Sequence, residues 1–200
     1  MTRTASSQVP LHPLLAERWS PRGFDQAHEV TDAELTALLE AARWASSANN
    51  VQPWRFVVAR RGEVGFTALV DVLAPGNQVW AQHASALVLV AAETVDENGN
   101  PRSHALYDTG QAVAQLVAQA QAEGLATHQM GGFDAGRAVD ELGLGDLTPV
   151  VVVAVGRHDA DAALPEPFAA RETAPRTRRP LADLVLTVGE RRDSRTSHAA

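Results

Sequence analysis

Between a predicted helix and a predicted strand the chain reads Ala45-Ser46-Ser47-Ala48-Asn49-Asn50-Val51-Gln52-Pro53-Trp54. The helix has to end within this stretch, because serine and asparagine compete for backbone hydrogen bonds and Pro53 disfavours helical geometry at Gln52. The same hydroxyl and amide groups stand at the start of a rigid strand, where they suit a flat polar ligand. From this stretch alone, an ordinary helix-to-strand turn is the alternative.

Hydrophobic spacing on both sides of this stretch predicts alternating helices and strands. Thr31 and Glu34 form a capping-box pattern that opens the helix before it. A nearly continuous apolar run at 86–92 predicts a buried central strand. The remaining predictions are strands at 55–59 and 150–156 and helices at 66–73, 103–123 and 134–142, with Pro75-Gly76 ending the first of these helices. Residues 157–175 show neither period, which predicts a long surface connection.

The composition is typical of one compact domain. The chain has 200 residues, 45% of them hydrophobic, and no apolar run is long enough to span a bilayer. The first residues lack the apolar stretch of a signal peptide. Cysteine is absent, which excludes disulfides, thiolate metal sites and a cysteine nucleophile. These features together predict a cytoplasmic protein without a membrane segment.

The charged residues exclude further classes of function. All seventeen basic side chains are arginine, so the chain lacks a Schiff-base lysine and the lysine of a Walker A phosphate loop. The formal net charge of -7 argues against a nucleic-acid binder. None of the seven histidines stands in a His-x-x-His or His-Glu-x-x-His pattern, so no metal site is expected.

Two arginine clusters, one near each end of the chain, favour phosphate as a ligand. The first is Arg18-Trp19-Ser20-Pro21-Arg22 and the second is Arg176-Thr177-Arg178-Arg179-Pro180. Guanidinium groups donate paired hydrogen bonds to phosphoryl oxygens, and a serine hydroxyl adds another donor. Taken singly, each cluster also fits a solvated surface.

Two further motifs complete a recognisable order. Asn77 stands seven residues before Ala84, and residues 128–134 read His-Gln-Met-Gly-Gly-Phe-Asp. From about residue 11 to residue 188, these motifs, the arginine clusters and the 45–54 stretch resemble the FMN-dependent nitroreductase family. The resemblance rests on the order and spacing of the five motifs, since no single motif is specific.

The resemblance implies an α+β fold with a central, mostly antiparallel sheet flanked by helices. It also implies a homodimer with two FMN sites at the subunit interface. Residues 1–188 would form a single FMN-binding domain, and residues 157–188 would be a C-terminal arm exchanged between the subunits. Within that arm, residues 184–188 would add a strand to the partner's sheet. Residues 189–200 are polar and are expected to form a disordered tail.

By the same resemblance, the cofactor-binding residues divide into a phosphate group and a ring group. The phosphate group is Arg18, Ser20, Arg22, Arg176 and Arg178, with Trp19 packed inside the first cluster. In the family, the cation at the position of Arg22 also reaches the pyrimidine side of the flavin ring. The ring group is Asn77, Gly131 and Gly132 from one subunit and Ser46, Ser47 and Asn50 from the other. The chain departs from the family pattern where Ser46 replaces a usual proline, Ala48 a usual serine, and Gly131 a glutamate found in many members.

Two of these assignments have simpler alternatives. His128 lies beside the Gly-Phe-Asp turn and is a candidate for substrate contact, but a hydrogen-bonded structural histidine is the alternative. For Gly131-Gly132 the alternative is a plain turn.

The function implied is an FMN-dependent oxidoreductase. It would move hydride from NADH or NADPH through flavin N5 to a nitroaromatic, quinone or activated alkene by a ping-pong mechanism. No side chain is then needed as nucleophile or general base. Three alternatives stay open: a protein that stores or senses FMN without efficient turnover, a reductive dehalogenase or flavin-fragmenting relative, and a structural dimer that has lost the cofactor.

Overall fold

The computed structural model describes residues 3–186, which form four strands, seven α-helices and two short 3-10 turns. The strands are β1 (Trp54–Arg60), β2 (Ala86–Ala92), β3 (Ala126–Met130) and β4 (Thr148–Gly156). The helices are α1 (Pro13–Ala16), α2 (Asp32–Arg43), α3 (Val64–Asp71), α4 (Pro75–Ala81), α5 (Ala105–Ala122), α6 (Ala135–Leu142) and α7 (Phe168–Thr173). The 3-10 turns are Ala48–Asn50 and Leu181–Asp183.

The four strands form one antiparallel sheet in the order β1-β2-β4-β3. β2 lies at its centre and is buried along its whole length. Leu87 and Leu89 face one core, which is closed by α3, α4 and α6. Val88 and Val90 face the other core, which is closed by α2 and α5. Because both faces of β2 are buried, the strand is apolar throughout instead of alternating. The predicted α+β fold with an antiparallel sheet between helices is confirmed.

Most of the predicted elements are confirmed. β2 occupies the predicted 86–92, and β1 and β4 extend the predicted strands by one or two residues. α2 begins with a capping box in which the Thr31 hydroxyl accepts from the Glu34 N–H and the Glu34 carboxylate accepts from the Thr31 N–H. The long α5 is followed by Gly124 with a φ of 73°, a conformation that favours glycine after a helix.

Four elements lie outside the sequence predictions. α1 is a single turn that begins at Pro13, since proline suits the first position of a helix. β3 carries no clear alternation and is held by its pairing with β4. α3 ends at Asp71, and Pro75 then begins α4, because the fixed φ of proline suits the first turn of a helix. α7 interrupts the segment that was expected to be an irregular connection.

The structure describes only part of the segment to which the C-terminal predictions apply. Leu184, Val185 and Leu186 are exposed and lie outside the strands. The rest of the predicted partner strand and the predicted tail at 189–200 lie outside the described residues. The exchange of the arm between subunits and the domain boundary at 188 therefore stay predictions. Within residues 3–186, none of the helices combines the length and the hydrophobicity needed to cross a bilayer.

Candidate functional site

Four arginines from the two ends of the chain line the same cavity. It is a space of about 770 Å³ bordered by Arg18, Arg176, Arg178 and Arg179, and its remaining lining is mainly apolar. Arg18 also donates to the Ser20 hydroxyl over 3.4 Å. Burial lowers the pKa of Arg18, and the charges of Arg176 and Arg178 lower it further. Because a guanidinium stays protonated even so, the cavity concentrates positive charge.

Arg176 also ties the two ends of the chain together. Its guanidinium donates to the carbonyl oxygens of Ala16 at 2.9 Å and Arg18 at 2.8 Å, and to that of Arg3. Arg3 in turn donates to the backbone carbonyl of Glu172. Part of the donor capacity of Arg176 therefore serves the fold, and Arg18 and Arg178 are the freer phosphate donors.

Arg22 is held through its backbone. The N–H of Arg22 donates to both carboxylate oxygens of Glu172, at 2.9 and 3.1 Å, and the N–H of Gly23 donates to one of them at 3.1 Å. The Arg22 guanidinium lies over the Trp80 ring, with Cζ 5.9 Å from the ring centroid. Burial lowers the pKa of Arg22, and the Glu172 carboxylate opposes that shift.

The aromatic residue of the first cluster, Trp19, packs against its neighbours. The Arg3 guanidinium lies 4.3 Å from the centroid of the Trp19 ring. The His158 ring meets Trp19 edge-on at a centroid distance of 5.2 Å. Trp19 therefore fixes the cluster by packing, and any direct contact with a cofactor stays a prediction.

His128 lies behind the first arginine cluster. Its Nδ1 is 2.9 Å from the carbonyl oxygen of Pro21, and its ring centroid is 4.4 Å from that of Trp80. The side chain is buried, and burial lowers its pKa from 6.5 to about 4. Because a carbonyl can only accept, Nδ1 carries the proton of the neutral ring. These contacts favour the structural alternative for His128, and its contact with substrate stays a prediction.

Asn77 and Gly132 meet at the turn between β3 and α6. The Asn77 amide donates to the Gly132 carbonyl at 2.9 Å, and the N–H of Ala74 donates to the same oxygen at 3.0 Å. A Cβ at Gly132 would lie 3.0 Å from Asn77 Nδ2, whereas a Cβ at Gly131 would meet nothing within 4 Å. Because Gly132 has no side chain, Asn77 can approach its backbone closely. Next to Gly131 the space that a side chain would fill is open.

The 45–54 stretch forms a separate polar loop. Its Asn49, Asn50 and Gln52 have φ values of 51°, 57° and 51°, which non-glycine residues rarely adopt. The Ser47 hydroxyl accepts from the Gln52 N–H at 3.1 Å, and the buried Asp108 accepts from the Ala48 N–H at 3.0 Å. Part of the loop borders a small cavity of about 190 Å³ beside the start of α5. This cavity is distinct from the one lined by the arginines.

Comparison with known proteins assigns the family. The model of the Nitroreductase family matches residues 15–74 and 67–157. The chain belongs to the nitroreductase family. It is similar to an uncharacterised 15.4 kDa protein from Mycolicibacterium smegmatis, with 37% identity over 142 residues that cover 66% of this chain and 95% of that protein. It is also similar to an oxygen-insensitive NADPH nitroreductase of Helicobacter pylori, with 33% identity over 79 residues, 40% of this chain and 37% of that protein.

A solved structure extends the similarity to the whole fold. It is described as an oxidoreductase containing FMN, and it matches with a TM-score of 0.85 and 35% identity over 96% of each chain. The predicted resemblance to the nitroreductases is thus confirmed.

The structure brings together only part of the predicted site. Arg18, Arg176 and Arg178 converge on one cavity, the Ser20 hydroxyl accepts from Arg18, and Asn77 pairs with Gly132. Arg22 and Trp19 do not line that cavity. In contrast, Ser46, Ser47 and Asn50 belong to the separate 45–54 loop. Among residues 3–186 there is also no cluster of three or more His, Cys, Asp or Glu side chains that could hold a metal ion.

Two residues of the candidate site were missed by sequence reasoning. Glu172 and Arg3 both connect the ends of the chain, and the contact of Glu172 with Arg22 spans 150 positions. Neither stands in a motif, and Glu172 lies in the segment that shows no helical or strand period. The only available signal was that the two arginine clusters, if they share a ligand, must be held close together.

Proposed function

We propose that this protein is an FMN-dependent oxidoreductase that takes electrons from NADH or NADPH. The observation that carries the proposal is the convergence of Arg18, Arg176 and Arg178, from opposite ends of the chain, on one cavity. Two similar proteins support it: the solved structure described as containing FMN and the relative named as an NADPH nitroreductase.

The donor set at this cavity fits the phosphate of FMN. A phosphate monoester carries nearly two negative charges and three acceptor oxygens. The neighbours that act on Arg18 are themselves cations, which disfavours its charged form in the absence of an anion. A bound phosphate would relieve this repulsion, and the guanidinium groups and the Ser20 hydroxyl are the donors that phosphoryl oxygens prefer.

Asn77 and Gly132 would orient the polar edge of the flavin ring. The Gly132 carbonyl accepts from both Asn77 and Ala74, which fixes the peptide that precedes Phe133. The open space at Gly131, where many members carry glutamate, would leave room for an acceptor beside the ring. When bound, FMN would supply hydride transfer at N5, while the protein binds, orients and excludes water.

We propose a nitroaromatic, quinone or activated alkene as the acceptor, with ping-pong kinetics because donor and acceptor would use the same site in turn. We also propose a cytoplasmic homodimer in which Ser46, Ser47 and Asn50 complete the site of the neighbouring subunit. The separation of their loop from the arginine cavity supports this arrangement. So does Trp44, which precedes the loop and is 76% exposed within one chain.

The first experiment is an absorbance spectrum of the purified protein, followed by anaerobic addition of NADH and then of NADPH. We expect flavin bands that bleach with at least one donor. Bands that persist with both donors, or bands that bleach but do not return with any acceptor, would favour the storage or sensing alternative. A colourless protein that takes up no added FMN would contradict the proposal.

A double variant tests the phosphate site directly. Arg18→Ala with Arg178→Ala removes two charged donors, so FMN affinity should fall by roughly 100-fold or more in fluorescence titrations. Arg43→Ala with Arg137→Ala is the matched control, because it removes the same charge from two exposed helical arginines paired with Glu40 and Glu141. Equal FMN affinities in the two double variants would show that the phosphate lies elsewhere.

A further inference from the structure

We infer that the arginine cavity binds a second phosphate group beside that of FMN, and that Arg179 is the charged donor to this second group. The second phosphate would belong to the nicotinamide donor, NADPH or NADH. The inference therefore rests on the proposed function, and it assigns a binding site to the phosphate-bearing part of the reductant.

The cavity holds more positive charge than one phosphate can offset. Four arginines line it, and no aspartate or glutamate of residues 3–186 is part of the lining. Burial lowers the pKa of Arg18 most, and the charges of Arg176 and Arg178 lower it further, so the cations repel one another. A phosphate monoester carries nearly two negative charges, so about two of the four positive charges would remain beside bound FMN. A second anion would relieve the repulsion that FMN leaves.

The cavity is also larger than one phosphate requires. Its volume of about 770 Å³ lies within the range of roughly 300–1,000 Å³ that holds a whole small ligand. The flavin ring would not fill this space, because Asn77 and Gly132, which would orient the ring, are not among the lining residues. The remaining room suits part of another ligand.

The fold uses the neighbouring cations more than it uses Arg179. Arg176 donates to three backbone carbonyls, and Arg178 donates to the Thr177 carbonyl at 2.8 Å. Among residues 3–186, the guanidinium of Arg179 takes part in none of the hydrogen bonds, and the residue is exposed at the edge of the cavity. Its donors are therefore available to a ligand.

The nicotinamide donor is the source of phosphate that the proposed reaction supplies. Nitroaromatics, quinones and activated alkenes need carry no phosphate, whereas NADH and NADPH share a pyrophosphate and NADPH adds a 2′-phosphate. An arginine fork donates paired hydrogen bonds to either group. The lining also includes the exposed apolar side chains of Val9, Leu15 and Leu181, which would pack against the adenosine that carries these phosphates.

Binding without turnover tests the site first. FMN-loaded protein of the full chain is titrated by calorimetry with adenosine 2′,5′-bisphosphate, which carries the 2′-phosphate, and with adenosine 5′-diphosphate, which carries a pyrophosphate. We expect at least one of them to bind the wild type, and Arg179→Ala to weaken that binding about tenfold. Arg171→Ala is the matched control, because it removes the same charge from an exposed arginine of the same segment that does not line the cavity.

The affinity for FMN is measured for the same two variants by fluorescence titration of apoprotein. Because Arg18 and Arg178 are the proposed donors to the FMN phosphate, the affinities of Arg179→Ala and Arg171→Ala should agree within about threefold. Retained FMN binding also shows that Arg179→Ala is folded.

The reductive half-reaction then identifies which phosphate Arg179 binds. Anaerobic stopped-flow mixing gives the dissociation constant of each donor and the limiting rate of flavin reduction. If Arg179 binds the 2′-phosphate, Arg179→Ala should weaken NADPH binding about tenfold and NADH binding less than about twofold. If it binds the pyrophosphate, both donors should weaken equally. In either case the limiting rate should stay within about twofold, because an interaction that binds donor and transition state equally does not change it.

Several outcomes would overturn the inference. FMN-loaded wild type that binds neither adenosine phosphate, or Arg179→Ala that binds adenosine phosphates and donors like the wild type, would overturn the inference alone. A loss of FMN affinity in Arg179→Ala as large as its loss of donor affinity would assign Arg179 to the first phosphate. Equal losses in Arg171→Ala would leave only an effect of net charge. A wild-type protein that takes up no FMN would overturn the proposed function, and the inference with it.

Discussion

The ring of His128 packs against Trp80 and donates to Pro21 of the first arginine cluster, residues 18–22, which we call the clasp. An imidazolium there would lie near the positive charges of Arg22 and Arg18. Burial has the largest effect in lowering its pKa to about 4, and the charges of Arg22 and Arg18 act in the same direction. The hydrogen bond to Pro21 opposes the shift without reversing it. His128 is therefore neutral at pH 7 and holds the clasp as an N–H donor.

This pKa predicts a pH dependence of stability. Between pH 6.5 and about 4, the unfolded chain binds a proton at His128 that the native protein does not, so the free energy of unfolding falls as the pH falls through this window. The loss amounts to about 3 kcal/mol at full effect. His128→Asn keeps an N–H donor but does not titrate, so it should lose that much less stability across the window. Urea unfolding at several pH values measures the difference.

His83→Asn provides the control for the loss of one histidine, because His83 is half-buried on the loop after α4. A change in the pH dependence that occurs with His128→Asn and not with this control is assigned to His128. A His128→Asn variant that loses stability with falling pH as steeply as the wild type would show that His128 already titrates normally in the native protein.

At the scale of single residues, the sequence could predict which donors belong together but not what holds them. Arg18, Arg176 and Arg178 were expected to share a ligand because charge, spacing and family order agreed, and they line one cavity. The contact between His128 and Pro21 spans 107 positions, so no local pattern could reveal it. The structural alternative for this histidine was stated from the sequence but could not be chosen there.

At the scale of elements, predictions succeeded where adjacent residues specify the element. They failed where an element is specified by its pairing with a strand that is distant in the sequence. β2 is apolar along its length, and the capping box of α2 is read from adjacent residues, so both were predictable. β3 contains Thr127, His128 and Gln129 and is a strand because its backbone pairs with β4. Such a strand is specified by its partner, which a single-sequence pattern does not contain.

The turn that joins β3 to α6 gives a prediction at this scale. Gly132→Ala would place a Cβ 3.0 Å from Asn77 Nδ2 and 3.5 Å from the Ala74 Cβ. Asn77 would have to give way and weaken its bond to the Gly132 carbonyl, so the free energy of unfolding should fall by about 1 kcal/mol. Chemical denaturation of the apoprotein measures this change without reference to a cofactor.

The neighbouring glycine is the matched control for that turn. Gly131→Ala adds the same methyl group where nothing lies within 4 Å, and its effect on stability should stay within about 0.5 kcal/mol. Equal losses in the two variants would mean that the turn tolerates no side chain at either position. The close contact with Asn77 would then not be the cause.

At the scale of the whole molecule, the two ends of the chain meet around one site. Arg176 donates to carbonyls near the N-terminal end, and Glu172 accepts from the clasp, so each end fixes the other. This closure explains how clusters more than 150 positions apart can serve one phosphate. The family order predicted that they would meet, whereas the contacts that close the molecule required the structure.

The proposed homodimer makes the last prediction. If each flavin site takes its arginines from one subunit and Asn50 from the other, two defective variants should complement each other. One carries Arg18→Ala and Arg178→Ala, and the other carries Asn50→Gly, in which glycine tolerates the φ of 57° without strain. Each alone should retain little FMN. After refolding together, about half of the dimers are mixed, and each mixed dimer has one site with no substitution, so roughly a quarter of all sites should recover. Flavin retained through gel filtration measures the recovery. If a site were built within one subunit, every site in the mixture would still carry a substitution, and no FMN binding would return.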